Sequence, residues 1–130
     1  MNISEAARQS GLTTKTIRYY ESIGLIHPPK RGNNGYRDYH AKDVSLMRFL
    51  CHSRQVGFSL QECKQLSEFY LNPERQSVHV KSLVVEKVKD IEAKVANLRA
   101  MQNTLLDLAD RCAGDEGPDC AIIETLAGES

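Results

Sequence analysis

Residues 1–26 read MNISEAARQSGLTTKTIRYYESIGLI, and this stretch decides the fold of the N-terminal part of the chain. Ser4 is predicted to cap a first short helix, which ends at a glycine. Thr13 or Thr14 can cap a second helix, which ends before Gly24. Two short helices joined by a turn that contains glycine are typical of a helix-turn-helix, in which the second helix enters the major groove of DNA.

The composition of the 130 residues limits the possible classes of protein. The chain is 41% hydrophobic, which favours one globular domain, or a small domain with an extension, over a disordered chain. It contains no apolar run near the roughly 18 residues that a membrane span needs. We therefore expect a cytoplasmic protein that does not contact a membrane. In a reducing cytosol its four cysteines favour thiol or metal chemistry over structural disulfides.

The formal net charge is zero, but the charges are unevenly distributed along the chain. Residues 1–60 contain nine Lys and Arg against four Asp and Glu, an excess of five positive charges. Residues 61–130 contain eight against thirteen, an excess of five negative charges. Such a split favours a basic surface that faces nucleic acid and an acidic remainder. A chance distribution with an acidic tail is the alternative.

The sequence after the second helix predicts a wing. Residues 28–35 read PPKRGNNG and cannot form a helix, because their prolines and glycines interrupt it. Asn34-Gly35 is a signal for a hairpin turn, and residues 36–39, YRDY, return as a short strand. We therefore predict a basic two-stranded wing beside the second helix.

Two further helices are predicted before a break at Asn72-Pro73. The third runs from Asp43 to about Gln55 and has apolar residues at core spacing. Ser59 and Glu62 form a capping box at the start of the fourth helix, which runs to about residue 70.

The stretch from about 77 to 111 contains no glycine or proline, which predicts one helix about 50 Å long. Its apolar residues repeat in steps of four and three for about three heptads. We interpret the repeat as the seam of a coiled coil that dimerises the protein, because the helix is too long to pack fully against a domain of about 70 residues. A long helix folded back on its own core is the alternative. The seam residues are Val84, Val88, Ile91, Val95, Leu98 and Leu105.

These elements resemble, in the same order, the MerR family of bacterial transcription regulators. The resemblance covers essentially the whole chain. It rests on residues 1–26, on NGYRDY at 34–39 and on RQVGFSLQE at 54–62. Within this family, the chain resembles the copper-efflux regulators at three positions, namely Cys112, Cys120 and Ser77. Those regulators sense Cu(I) and often Ag(I) and Au(I).

The resemblance implies a mainly α-helical fold in three parts. A winged helix-turn-helix DNA-binding domain would occupy residues 1–70, a dimerisation helix 77–111, and a metal-binding loop with a short helix 112–130. The dimerisation helices would form an antiparallel coiled coil in a homodimer. The protein would not be an enzyme: it would distort double-stranded promoter DNA and activate copper efflux or detoxification genes through RNA polymerase.

Cys112 and Cys120 bracket the loop CAGDEGPDC, whose glycines and proline let it fold back and bring two sulfurs to one ion. Two thiolates are too few for a structural zinc site or for an iron–sulfur cluster, whereas thiolate ligands select Cu(I). An incidental pair, or a redox pair that closes a disulfide, is the alternative. The other two cysteines, Cys51 and Cys63, are expected to be small buried hydrophobes.

By the same resemblance, Ser77 stands where divalent-ion sensors of the family carry a cysteine, so the site would keep two ligands. Ser77 can also be an ordinary N-cap. Lys81, one turn later, can balance the net negative charge of two thiolates around a monovalent cation. A sensor of a divalent ion such as Zn(II), Cd(II), Hg(II) or Pb(II), and a thiol-redox switch, are the alternative functions.

Basic and aromatic residues of the second helix and the wing are the candidate DNA contacts. Arginine favours guanine, and tyrosine hydroxyls hold the phosphate backbone. One of the two adjacent tyrosines in the second helix is expected in the core, because the tyrosines recur with Ile17 at helical spacing. The predicted set is Thr14, Lys15, Arg18, Tyr19, Tyr20, Arg31, Tyr36, Arg37 and Arg54.

Overall fold

The computed structural model describes residues 1–128 and is mainly α-helical, with six helices in this part of the chain. The last two positions of the predicted C-terminal segment 112–130 lie outside the described residues. The chain divides into two compact units, the first being Met1–Leu83 and the second beginning at Val84. The helices are α1 Ile3–Ser10, α2 Thr14–Ser22, α3 Ala41–Gln55, α4 Leu60–Leu71, α5 Ser77–Arg111 and α6 Ala121–Leu126.

The helix-turn-helix forms as predicted, with one corrected cap. The cap of α1 is Asn2 and not Ser4, because the Asn2 side chain accepts a hydrogen bond from the Glu5 backbone amide at 2.9 Å. Thr13 caps α2 by accepting from the Thr16 amide at 3.0 Å. An oxygen at either position satisfies an amide that the first turn of a helix leaves without a partner.

Capping boxes begin both α3 and α4. The predicted box at Ser59 and Glu62 is confirmed, with each side chain bonded to the other residue's backbone amide. An unpredicted bond from the His40 amide to Asp43, 2.8 Å long, starts α3 at Ala41, two residues earlier than the sequence indicated. Asp43 therefore lies inside the first turn, where a carboxylate interacts favourably with the helix dipole.

The core of the first unit lies between α1, α2, α3 and α4. Among its fully buried side chains are Ile17, Tyr39, Met47 and Leu50. Burying an apolar side chain of this size contributes roughly 1.5–3 kcal/mol. Since Ile17 and Tyr20 hold one side of α2 in this core, the opposite side of α2 is left for solvent or a ligand.

The wing is a hairpin-like loop and not the two-stranded sheet that the sequence indicated. A single bridge joins Arg31 to Arg37 in the described chain, and no regular strand forms there. The turn is centred on residues 33 and 34, since the Gly35 amide donates to the Gly32 carbonyl at 3.0 Å and Gly35 takes a φ of 82°. Two prolines, which lack an amide hydrogen, precede the bridge and prevent a longer ladder.

In the second unit, α5 continues as a helix to Arg111, as predicted. Its heptad residues are substantially exposed in the single chain, between 41% for Val95 and 61% for Leu105. Leu108 is buried, at 2% exposure. The predicted short helix after Cys120 is confirmed as α6. No helix among the described residues is both long and apolar enough to span a bilayer.

Candidate DNA interface and metal centre

A groove of about 620 Å³ separates α2 from the wing. Four residues of the predicted DNA-contacting set line it, and they come from both elements: Arg18, Arg31, Tyr36 and Arg37. The helix-turn-helix and the hairpin thus bring three guanidinium groups to one concave surface. A positive surface of this kind attracts the phosphates of a nucleic acid.

The exposed face of α2 continues this surface beyond the groove. Lys15 and Arg18 are exposed, and Tyr19 is 51% exposed. Thr14 is the first residue of α2 and is partly exposed. In the wing, Tyr36 is 72% exposed. These side chains are available to touch base edges or phosphates, which keeps them as candidate contacts.

Tyr20 was predicted as a DNA contact, but the structure places it in the core. Only 6% of its surface is exposed, and it belongs to the hydrophobic core. Burial raises the pKa of its phenol, while the nearby Arg54 guanidinium acts in the opposite direction. Tyr20 is therefore the core member of the tyrosine pair. Arg54 donates a 2.8 Å hydrogen bond to the Phe58 carbonyl, which orients this exposed guanidinium at the end of α3.

Glu21 is a member of the groove that sequence reasoning missed. Its side chain is 7% exposed, and one carboxylate oxygen accepts a 3.1 Å hydrogen bond from the Tyr39 hydroxyl. The same oxygen lies 3.7 Å from an Arg37 guanidinium nitrogen. A sequence signal that could have singled it out is the rarity of acidic residues in residues 1–60, where Glu21 is one of four. Desolvation raises the pKa of Tyr39 to about 12, with Glu21 as a further cause.

The first residue of the chain also contacts the wing. The Met1 ammonium donates to the Asp38 carboxylate at 2.7 Å, and the Tyr39 amide donates to the Met1 carbonyl at 2.8 Å. The hydrogen bond and the charge of the ammonium hold the pKa of Asp38 below its usual range. The C-terminal end of the wing is thus attached to Met1 as well as to Glu21.

In the second unit, the two predicted metal ligands lie together. The sulfurs of Cys112 and Cys120 are 3.3 Å apart, and both residues are half-buried. Cys112 follows the last residue of α5, and Cys120 immediately precedes α6. Within the loop, the Gly117 amide donates to the Asp115 side chain at 2.9 Å, which tightens the turn. The ends of two helices therefore fix the two thiols.

The start of α6 favours the thiolate of Cys120. The backbone amide of Ile123 lowers the pKa of this thiol, and the Cys112 thiol is the next largest cause. A thiol of lowered pKa is a better ligand at neutral pH, since the thiolate is the form that binds metals.

The donor set fits a soft ion with two thiolate ligands. If each metal–sulfur distance is about 2.3 Å, as in zinc thiolates, two sulfurs in line with one ion lie about 4.6 Å apart. The two sulfurs, now 3.3 Å apart, must then separate by about 1.3 Å to bind an ion in line. Within residues 1–128 no group of three or more His, Cys, Asp and Glu side chains is placed to hold a metal. Cys112 and Cys120 are therefore the two side chains of this loop that could hold a metal ion.

Ser77 and Lys81 belong to the first unit, and both are exposed. Ser77 is the first residue of α5. The predicted roles of both residues near the metal stay predictions. His79 lies 6.4 Å from Phe69, measured between ring centroids.

The remaining cysteines belong to the first unit. Cys63 is fully buried, as expected, and burial raises the pKa of its thiol. Cys51 is only partly buried, and its sulfur accepts a 3.7 Å contact from the Gln55 amide nitrogen.

Comparison with known proteins identifies the family. Residues 1–70 match the family described as MerR HTH family regulatory protein, and residues 44–108 match the one described as MerR, DNA binding. The chain belongs to the MerR family. It is accordingly a DNA-binding transcription regulator of the MerR type and not an enzyme.

MerR relatives match over nearly the full length of the chain. The HTH-type transcriptional regulator CueR of Yersinia pestis is 48% identical, over 98% of this chain and 92% of that protein. The heavy metal-dependent transcription regulator 2 of Rhizobium meliloti is 43% identical, over 100% of this chain and 88% of its own length. Among solved structures, the regulator PbrR691 from Ralstonia metallidurans in complex with lead(II) has a TM-score of 0.86, 28% identity, and coverage of 97% and 98%.

Proposed function

We propose that this MerR-family regulator responds to a soft monovalent metal ion, Cu(I) and also Ag(I) or Au(I), bound by Cys112 and Cys120. The observation that carries the proposal is the 3.3 Å approach of the two sulfurs at the end of α5. Thiolate ligands favour Cu(I), and a pair of them is the ligand set of a two-coordinate ion. The metal-related names of similar proteins support a metal effector.

The proposed regulator acts as a homodimer. The support is the heptad repeat on α5, whose apolar residues are 41–61% exposed in the single chain. A second copy that supplies the same face would bury both seams in an antiparallel coiled coil. The dimer would also place two helix-turn-helix units on one two-fold promoter site.

The output of the proposed regulator is a change in promoter geometry. The helix-turn-helix and wing bind duplex promoter DNA, and the metal-bound form distorts that DNA so that RNA polymerase can use it. Such a switch requires a dimer with two states, in which metal binding and DNA shape share a coupling free energy. Since promoter DNA is the target, the proposed place of action is the cytoplasm, and the proposed targets are genes for copper efflux or detoxification.

Two residues supplement the thiolates in this proposal. By the resemblance in sequence, Ser77 stands at the position where divalent-ion sensors of the family carry a cysteine, and we propose Lys81 as the counter-charge of the bis-thiolate complex. A buried ion complex with uncompensated charge carries a large desolvation cost. A cation near the complex lowers this cost.

Metal stoichiometry tests the proposal. The reduced protein is titrated anaerobically with Cu(I) against a Cu(I)-selective chelator, and in parallel with Ag(I) and Zn(II). We expect Cu(I) to bind tightly to the wild type and not to Cys112→Ser. The control is Cys51→Ser, which removes another partly exposed thiol and should bind Cu(I) as the wild type does. Unchanged Cu(I) binding by Cys112→Ser would exclude this site.

A divalent-ion sensor is the second candidate, because the lead(II) complex of PbrR691 has the same fold. In the same titration, this candidate predicts that Pb(II) or Zn(II) binds in the presence of a strong competitor and that Cu(I) does not. A thiol-redox switch is the third, because sulfurs at 3.3 Å need little movement to form a disulfide. It predicts reversible oxidation that changes DNA binding without any metal.

A further inference from the structure

Glu21 lies where simple electrostatics disfavours an acidic residue. It lines the groove between α2 and the wing, together with Arg18, Arg31 and Arg37. A protein surface that binds DNA gains affinity by neutralising phosphates, so a carboxylate among its arginines reduces that gain. Glu21 is also desolvated, since its side chain is only 7% exposed. Burying a charge is costly unless partners compensate for it.

The partners of Glu21 belong to the wing. The Tyr39 hydroxyl donates to one carboxylate oxygen at 3.1 Å, and an Arg37 guanidinium nitrogen lies 3.7 Å from the same oxygen. Tyr39 is 1% exposed and is part of the core. The Arg37 side chain is 38% exposed and reaches the groove. One oxygen on α2 therefore connects a buried core residue to a partly exposed cationic side chain.

We propose that Glu21 is a positioning residue of the DNA interface, which holds the wing through Tyr39 and orients Arg37 toward the DNA. The proposal rests on the DNA-binding function of this family and adds to it a role for an acidic residue. A long arginine side chain loses rotamer freedom when it binds. Orientation by Glu21 before binding reduces this loss and keeps the guanidinium at the groove instead of in solvent.

The proposal predicts that removing the Glu21 charge changes DNA affinity in the direction opposite to the one that charge alone predicts. Removing one negative charge from a DNA-binding surface should raise affinity for any duplex if charge is the only effect. If Glu21 positions Arg37, the same change lowers affinity. A purely structural role for Glu21 would lower the stability of the unit but leave the affinity of the folded fraction unchanged.

The test measures binding of the full chain to a fluorescent duplex of mixed sequence, about 30 base pairs long, over a range of about 50 to 200 mM salt. We expect Glu21→Gln to weaken binding by about five-fold or more. Glu5→Gln is the matched control, because Glu5 also pairs with an arginine, Arg8, but does not line the groove. Glu5→Gln should bind equally well or slightly better. Thermal unfolding of each variant gives the folded fraction.

A double-mutant cycle isolates the positioning role. In an Arg37→Ala background, Glu21→Gln should no longer weaken binding and should leave it equal or raise it, because only the charge effect is left. Glu21→Asp, which keeps the charge but shortens the reach to Tyr39 and Arg37, should weaken binding in the wild-type background even if Glu21→Gln does not fold. The proposal would be overturned if Glu21→Gln or Glu21→Asp bound the duplex as tightly as the wild type or more tightly. It would also be overturned if Glu21→Gln weakened binding equally with and without Arg37. A wild type that does not bind the duplex would instead contradict DNA binding itself.

Discussion

At the residue scale, both candidate sites depend on how a neighbouring group changes an ionisable side chain. The Ile123 amide lowers the pKa of Cys120, so this thiol reaches its metal-binding form at a lower pH than an ordinary cysteine. Burial instead raises the pKa of Cys63, which keeps that thiol protonated and chemically inert. The difference follows from position, because Cys120 precedes a helix and Cys63 lies in a core.

Tyr39 provides the pH prediction. Its pKa is raised from 10.0 to about 12, chiefly by burial and further by Glu21. Because the folded-state pKa is the higher one, the stability that the neutral phenol contributes is fully present below about pH 10 and is lost as the pH rises toward about 12. We expect an alkaline titration of phenolate absorbance to contain a late step. Tyr39→Phe should remove it, whereas Tyr36→Phe, which deletes the hydroxyl of a residue that is 72% exposed, should not.

At the element scale, the turn between α1 and α2 sets the geometry of the DNA-binding helix. Gly11 ends α1 with a φ of 85°, in the left-handed region, and its amide donates to the Ala7 carbonyl. A Cβ at this position would lie 3.2 Å from the Cys51 sulfur on α3. The turn thus needs glycine for two reasons, namely its backbone angle and the closeness of the neighbouring helix.

Replacing Gly11 separates these two reasons. Gly11→Ala should lower the free energy of unfolding by about 1–2 kcal/mol for the left-handed backbone, and further because the Cys51 sulfur must move. Gly24→Ala is the matched control, since Gly24 has a φ of 78° but no neighbour within 4 Å of the added Cβ. Urea unfolding should therefore rank Gly11→Ala as the less stable variant. Equal losses in the two variants would mean that the contact with Cys51 has no energetic effect.

Local signals explain which elements the sequence predicted. Thr13, Ser59 and Gly11 mark helix ends through bonds or angles within a few residues, so they can be recognised in a single sequence. The wing depends on pairing between segments, and two prolines limited that pairing to one bridge. Tyr20 and Glu21 depend on what packs against α2, which periodicity does not specify. An acidic residue near a helix end is usually solvated, so nothing local indicated the buried role of Glu21.

At the scale of the whole molecule, the charge distribution corresponds to the division of tasks. The positive excess of residues 1–60 contains the arginines of the groove, and the negative excess of residues 61–130 contains the thiol loop. A protein with zero net charge can therefore bind phosphates strongly at one end, because the relevant field is that of the contacting surface. In the proposed switch, metal binding after α5 affects DNA binding before it, and α5 itself carries the exposed heptad seam.

The seam provides the last prediction. Leu98 is 60% exposed in the single chain, so Leu98→Lys should leave the chain folded, but it places a charge inside the proposed dimer interface. We expect the variant to be monomeric in sedimentation experiments and to bind DNA more weakly, because a monomer makes fewer phosphate contacts. Asn97→Lys adds the same charge on an exposed position outside the heptad repeat and should stay dimeric. If Leu98→Lys were as dimeric as Asn97→Lys, the subunits would associate through a surface other than this seam.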